Sequence, residues 1–430
     1  MSSNAKRSLE FWLAVLVSIA ADGHSPAVDG GTNGWLLGHA YKIPSHFTNQ
    51  ESGYFSIVEG HNGRLYMGAA KYGVNAYLIE FDPKAETMRM VVDVHKTIGS
   101  TATGFAAQAK IHTRNNVGAS GKIYFGSKQG YPEKAEKRSD YLGGYVFTYD
   151  PATGKTEHFG IPWPHHGVIS VTPDEAHGVA YVSTCSDERP IEHSHFMILD
   201  LARRTYRDLG DLEHMYAFIV LDHKGRAYHP IRGGRVARYD PARDRMVRLG
   251  VTVNGGAPPA LFTRDDTILN WEVSPDRKTL YAVEMSTNQL FAFDLSVDGD
   301  ALPGRRLGAL LPDAKTDCRA MCVGPDGAVW AAVSHVNAPE GQILHLVSYR
   351  PGQVTPRDRG KVGIANPNYT TFTDDQGKPK PWHHTVRKAK DGTLAPWQPM
   401  GICAARDACV HIMTIAPFTL IKFANASKLP

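Results

Sequence analysis

Histidine is the first residue type to sort. The chain carries 20 of them, and an imidazole titrates near working pH, so it can act as base, acid or metal ligand. His112 lies in the stretch Ala109-Lys-Ile-His-Thr113. His165 and His166 follow Pro164 at a turn that leads into a strand at Gly167. His193 and His195 flank Ser194, His229 follows Tyr228, and His383 and His384 follow Trp382. Taken singly, each is ordinarily a packed or surface residue; pairs in turns point more towards function. His193 and His195 alternate, which in a strand sets both on one side. That would suit a metal, but no third ligand is evident, and no pair has the His-Glu-x-x-His spacing. Cys403, Cys409 and His411 could bind a metal or include a disulfide, and the sequence favours neither.

Tyr216 and Arg232 form the second candidate group. Tyr216 opens the apolar run Tyr216-Ala-Phe-Ile-Val-Leu-Asp222, and Arg232 follows His229-Pro230. Between them lie one strand, a turn at Asp222-His-Lys-Gly225 and one strand back. The two ends of an antiparallel hairpin return to the same side, so Tyr216 and Arg232 are expected together. The alternative is a core tyrosine and an exposed cation. No Gly-x-Ser-x-Gly elbow, Walker loop or Rossmann fingerprint is present, so a serine hydrolase, an NTPase or a dinucleotide enzyme has no local support.

What must position these residues is a repeat. Its unit runs Gly-x-aliphatic-Tyr, a turn, a strand ending in aromatic-Asp-Pro, then a short strand ending in Leu-Gly. Gly63-Arg-Leu-Tyr66 with Phe81-Asp-Pro83 is one copy. Gly121-Lys-Ile-Tyr124 with Tyr149-Asp-Pro151 and Gly225-Arg-Ala-Tyr228 with Tyr239-Asp-Pro241 are others. The aromatic anchors are Tyr66, Tyr124, Tyr181, Tyr228, Tyr281 and Trp330. They recur at roughly the ~40–50 residues of a four-stranded propeller blade plus a loop. One blade cannot bury both faces, so neighbours must stack in a ring. Proline ends each strand because it has no amide hydrogen for the ladder. The expected fold is therefore an all-β, seven-bladed β-propeller forming a single domain over residues 22–430. Its last blade, the degenerate strand pair Cys409 to Phe423, borrows a strand from before Tyr66. The Pro-, Lys- and Gly-rich residues 366–398 read as a long loop insertion.

Composition bounds the partners. With 42% apolar and 21% charged residues, the chain is neither disordered nor a coiled coil. The 41 glycines and 27 prolines imply many tight turns. A net charge of +4 is too small to announce a nucleic-acid binder and would not repel an anionic sugar polymer. Lys6 and Arg7 precede the apolar run Phe11 to Ala21, with Ser18, Ala20 and Ala21 near its end. Residues 1–21 read as a signal peptide cleaved near Ala20, hence a secreted or periplasmic protein. No stretch is long enough to span a membrane. Five cysteines are an odd number, so at least one does not pair within the chain.

Gln108-Ala-Lys-Ile-His-Thr113, Gly121-Lys-Ile-Tyr-Phe-Gly126 and Leu142-Gly-Gly-Tyr-Val-Phe-Thr-Tyr-Asp-Pro-Ala-Thr-Gly-Lys155 together carry a resemblance. The chain resembles the seven-bladed β-propeller polysaccharide lyases, the group of ulvan lyases and rhamnose–glucuronate lyases. Gly63-Arg-Leu-Tyr-Met-Gly68, Phe81-Asp-Pro-Lys84 and Val91-Val-Asp-Val94 fit as well. The likeness covers roughly residues 50 to 250 well and the rest loosely. It implies eliminative cleavage of a uronate glycoside, with a histidine and a tyrosine as base and acid and an arginine neutralising the uronate. His112, Tyr216 and Arg232 stand at those positions. Related sequences often carry a second histidine where Ser127-Lys128 stands here. Either Lys128 substitutes as a cation, or His165 or His166 fills the gap, or the activity differs.

The chemistry demands such types independently. The C5 proton of a uronate is too weakly acidic to leave beside a charged carboxylate. Arginine, forked and always charged, makes the enediolate reachable. A base near neutral pKa then takes the proton, and an acid protonates the leaving oxygen. Lys128, His165, His166, His229, Trp382 and His384 are the expected substrate-binding residues, with Trp163 and Trp397 as further aromatics that could stack on sugars or simply pack. No cofactor is required for this chemistry, though a structural zinc or calcium is compatible with it. The leading expectation is a carbon–oxygen lyase acting on an anionic, uronate-containing polysaccharide. The alternatives are a non-catalytic glycan- or protein-binding propeller and a metal-dependent propeller hydrolase or lactonase.

Overall fold

The computed structural model describes residues 34–49, 51–187, 193–212, 218–231, 235–257, 269–284, 287–312, 314–366, 369, 372–373, 376–380 and 385–429. The expected signal segment lies outside them. Short strands joined by tight turns dominate, as the glycine and proline content requires. Among the described residues, antiparallel pairing sorts these strands into seven groups of four.

The first group is Glu51–Glu59, Leu65–Lys71, Asn75–Asp82 and Thr87–Asp93. In the second, the inner strand is broken into Lys110–Ile111 and Asn116–Val117, followed by Ile123–Lys128, Val146–Tyr149 and Thr156–His158. The third is Gly167–Asp174, Val179–Cys185, His195–Asp200 and Thr205–Asp211. The fourth is Val220–Leu221, Ala227–Ile231, Arg235–Asp240 and Arg245–Val253. The fifth is Leu269–Val273, Thr279–Glu284, Gln289–Asp294 and Ala301–Ala309. The sixth is Thr316–Val323, Val329–His335, Ile343–Tyr349 and Arg357–Ile364.

The seventh group closes the ring. Pro399–Ala404, Val410–Thr414 and Thr419–Phe423 take their fourth strand from Trp35–Lys42, whose His39–Lys42 half runs antiparallel to Thr419–Lys422. The Trp35–Gly38 half of the same strand lies parallel to Lys361–Ile364 of the sixth group. The borrowed strand is as the repeat anticipated, while the seventh unit has one more strand of its own than the Cys409 to Phe423 pair. Within 366–398, Val386–Lys388 and Leu394–Pro396 form a hairpin attached to Ile364. Among the described residues, no helix is long and apolar enough to cross a membrane.

The repeated residues have physical reasons. The anchor tyrosines are core residues, and three of their hydroxyls find carboxylates, whereas that of Tyr181 is buried with no hydrogen-bond partner. Tyr66 donates to Glu80 at 2.8 Å, Tyr124 to Glu175 at 2.8 Å and Tyr228 to Asp222 at 2.9 Å. In the first five groups an aspartate at the end of the third strand caps the following turn: Asp82 accepts from the Lys84 and Ala85 amides, and Asp200 from Ala202 and Arg203. In the first two blades a glycine two residues after the anchor allows close stacking. A Cβ on Gly68 would come within 2.6 Å of Ile111 Cγ2, and one on Gly126 within 2.4 Å of Val168 Cγ1. Each contact is made to the inner strand of the next blade.

Candidate functional site

The candidate residues gather at the end of the ring where the inner strands begin. In the second blade Lys110 pairs with Lys128, and in the third Gly167 pairs with Cys185. This register brings Lys128 to the third blade. Its ammonium sits 3.6 Å from Cys185 Sγ and 3.6 Å from Asp187 Oδ1. Lys128 is completely buried. Its stem runs over Gly167, where a Cβ would come within 2.3 Å of Lys128 Cγ, so a side chain there would displace the cation.

His112 is buried just past Lys110–Ile111, in the break of the inner strand, its ring 6.2 Å from that of Phe55 at 64°. Phe55 packs with Ile169, Cys185 and Phe218 in one apolar knot. His112 and Lys128 thus border the same knot, one through Phe55 and the other through Cys185. His166 is buried nearby, with Nδ1 3.1 Å from Thr184 Oγ1 and its ring 5.5 Å from that of His195. Burial, reinforced by the neighbouring His195, pushes the His166 imidazole down to about 4. It is neutral at working pH and acts as a hydrogen-bonding group, not a cation.

His165 and His193 remain near enough to His166 to bear on its imidazole, whereas His229 is enclosed between blades. His165 is exposed, with φ of 61° and Nδ1 2.6 Å from the Tyr141 carbonyl, to which it donates. His229 was expected to touch substrate, but it is fully buried. Its Nε2 lies 2.8 Å from Ser183 Oγ, its Nδ1 2.8 Å from the Pro230 carbonyl, and its ring stacks on Phe196 at 5.7 Å. In this placement it joins the third and fourth blades, and burial pushes it down to about 4. His193 and His195 do not converge on one point. His193 pairs with Asp211 at 2.5 Å, while His195 pairs with Asp208 at 2.9 Å and stacks on Trp163 at 3.6 Å. Among the described residues, no group of three or more His, Cys, Asp or Glu is disposed to hold a metal. All five cysteines are buried thiols.

Tyr216, Arg232, Trp382 and His384 lie outside the described residues. The hairpin expected to carry the first two is present: Val220 pairs with Tyr228 and Leu221 with Ala227.

Two features were not anticipated. The Phe55 and Phe218 rings, from the first and fourth blades, meet at 5.0 Å and 70° across the axis of the ring. On the far side of that contact, Arg114 of the second blade reaches Glu272 of the fifth and also donates to the Trp271 carbonyl at 2.6 Å. Burial raises the Glu272 carboxyl, and Arg114 opposes the rise. Around this pair is a cavity of about 280 Å³ at the end where the inner strands finish. The signal was there to read for one member: Glu272 is the single charge in its inner strand, Leu269–Val273, while Arg114 lies in the break between Lys110–Ile111 and Asn116–Val117.

No family model matches the chain, and no curated protein does. Solved structures do. The extracellular domain of the putative hybrid two component system BT4673 from B. thetaiotaomicron is 11% identical, with a TM-score of 0.52 over 89% of this chain and 40% of that one. This chain therefore spans about two fifths of the length of that extracellular domain. The β-propeller domain of Myceliophteria thermophila Cps50 (Swd1) is also 11% identical, with a TM-score of 0.52 over 89% of this chain and 97% of that one. U3-55K is 8% identical, with a TM-score of 0.51 over 90% and 98% of the two chains. The likeness establishes the fold: this chain is a β-propeller.

Proposed function

We propose that this propeller binds a carboxylate-bearing carbohydrate at the end of the ring where the inner strands begin. The observation that carries the reading is Lys128. A fully buried ammonium is retained only where something anionic repays its desolvation. Its stem packs across Gly167, next in sequence to the buried His166, and with His112 it borders the Phe55–Cys185 knot. Asp187 Oδ1, 3.6 Å away, is one anion of the chain that Lys128 meets, and a ligand carboxylate would join it there. His166, held neutral, offers a hydrogen bond to a hydroxyl.

Lyase chemistry is the catalytic form of this reading. His112 supplies an imidazole for the C5 proton or the leaving oxygen, Tyr216 the complementary acid or base, and Arg232 the neutralising fork. Export to the periplasm or the medium, the expectation drawn from residues 1–21, would bring the protein to such polymers. Binding without turnover is the second reading. It is favoured by His229, an expected substrate residue that is enclosed among Ser183, Pro230 and Phe196 instead.

Uronate polymers separate the two. Ulvan, rhamnosyl-glucuronate arabinogalactan, pectate and glycosaminoglycans are incubated with the protein, and absorbance is followed at the unsaturated-uronate band. A rise with one polymer supports elimination. Retention on a uronate column without a rise supports binding alone. Neither response on any of the four overturns the proposal.

A further inference from the structure

We infer that the cavity beyond the Phe55–Phe218 contact is a second binding site, built for a small neutral ligand rich in hydroxyl or carbonyl groups, about the size of one sugar ring. The site is independent of the reading above: it opens at the other end of the ring and shares no polar residue with it.

Its size sets the scale. At about 280 Å³ it lies just below the ~300–1,000 Å³ of drug-sized pockets, and it has room for roughly nine water volumes of ~30 Å³. Its walls alternate in character. Phe55, Phe218, Met321 and Ile402 offer apolar surface, which suits the C–H faces of a ring. Arg114, Glu272 and Asn270 offer polar atoms on the opposite blades.

Asn270 is the observation that asks for a ligand. It is 3% exposed, and its Nδ2 donor has no hydrogen-bond partner in the structure. A buried amide left unsatisfied is destabilising, so the position is explained if an acceptor oxygen arrives from outside the chain. The charges decide the class of that acceptor. Arg114 is matched by Glu272, and Glu59 on the same wall is matched by Arg406 at 3.3 Å. A charged ligand would have to draw one member out of a part-buried pair and leave the other uncompensated, which is unfavourable. A hydroxyl avoids this, because it can accept from Asn270 or Arg114 and donate to Glu272 without breaking either pair. The cavity therefore selects for a neutral, multiply hydroxylated molecule, in contrast to the anionic ligand proposed for the other end.

The test uses the full chain and saturation-transfer NMR with D-glucose, L-rhamnose and D-xylose at millimolar concentration, with D-glucuronate as the charged control. Transfer to at least one neutral sugar is expected. It should weaken about tenfold in Asn270→Ala, the loss of one hydrogen bond to a polar group, and persist in His165→Ala at the opposite end. A second readout needs no variant. Cys322 and Cys403 line the cavity whereas Cys185 lies among the residues of the other end. The bound sugar should slow methanethiosulfonate labelling of Cys322 and Cys403, and not of Cys185, as read by peptide mass spectrometry. Absence of transfer from all three neutral sugars overturns the inference. So does transfer without protection of Cys322 and Cys403, or glucuronate protecting them as well as the neutral sugars do.

Discussion

The Lys128 ammonium and the Cys185 sulfur, 3.6 Å apart, tie the second blade to the third at the opening of the ring. The pairing of Gly167 with Cys185 and of Lys110 with Lys128 holds the cation there. Replacing it by Lys128→Met keeps most of the stem and removes the charge. A hydrogen bond to a charged group is worth about 1.5–3 kcal/mol, so affinity for a uronate oligomer should fall about 10- to 150-fold. Titration calorimetry on the two proteins measures this, and unchanged affinity would remove Lys128 from the site.

Elimination, if the chain performs it, should depend on His112. General acid–base assistance contributes about 10²–10⁴-fold, and a group used in the transition state affects kcat more than KM. His112→Ala should lower kcat by that range in the absorbance assay with KM changed far less. A chelator should leave the residual and wild-type rates alike unaffected. A loss expressed wholly in KM would recast His112 as a binding residue.

Acid should destabilise the protein through its buried histidines. His166, His229 and His411 are all pushed down to about 4 by burial, against an ordinary value near 6.5. Between these limits the unfolded chain binds more protons than the folded one, so stability is full above about pH 6.5 and falls as pH drops towards 4. For the fully enclosed His229 and His411 the slope is up to about 1.4 kcal/mol per pH unit each. His411 packs edge-on against Phe81 at 6.3 Å, away from the opening. In His411→Leu the melting temperature should decline less steeply with acid, by about one proton's worth. Parallel curves for the two proteins would contradict this.

Blade stacking should be sensitive to a single methyl group at Gly68, whose Cβ would meet Ile111 Cγ2 at 2.6 Å and Ser56 Cβ at 2.7 Å. Overpacking of this kind typically costs about 1–3 kcal/mol. Gly250, with nothing within 4 Å, is the control and should tolerate alanine within about 0.5 kcal/mol. Denaturant unfolding of Gly68→Ala and Gly250→Ala compares them directly.

The ring was legible because its determinants are local and repeated. Tyr66, Tyr124 and Tyr228 each mark a second strand, and Asp82, Asp150 and Asp240 each close a turn, so periodicity alone recovers the blades. The site was legible only in part, because it assembles residues that are far apart in the chain. His112 and Lys128 could be singled out by the stretches they occupy, but their meeting through Phe55 and Cys185 depends on how blades one to four stack. His229 misled for the same reason: its neighbours Ser183 and Phe196 come from another blade. The Arg114–Glu272 pair spans 158 positions, and no local pattern connects its two ends.

The meeting of Phe55 and Phe218 has a bearing on how a polymer could be handled. Two rings from nearly opposite blades, 5.0 Å apart, obstruct the axis with carbon that no hydrated chain would cross. A polysaccharide cannot thread through such a ring as a rope through a pulley. It must lie over the rim or enter by one end and back out the same way. Threading along the axis is thereby excluded, and a long chain would have to be engaged across a face of the ring.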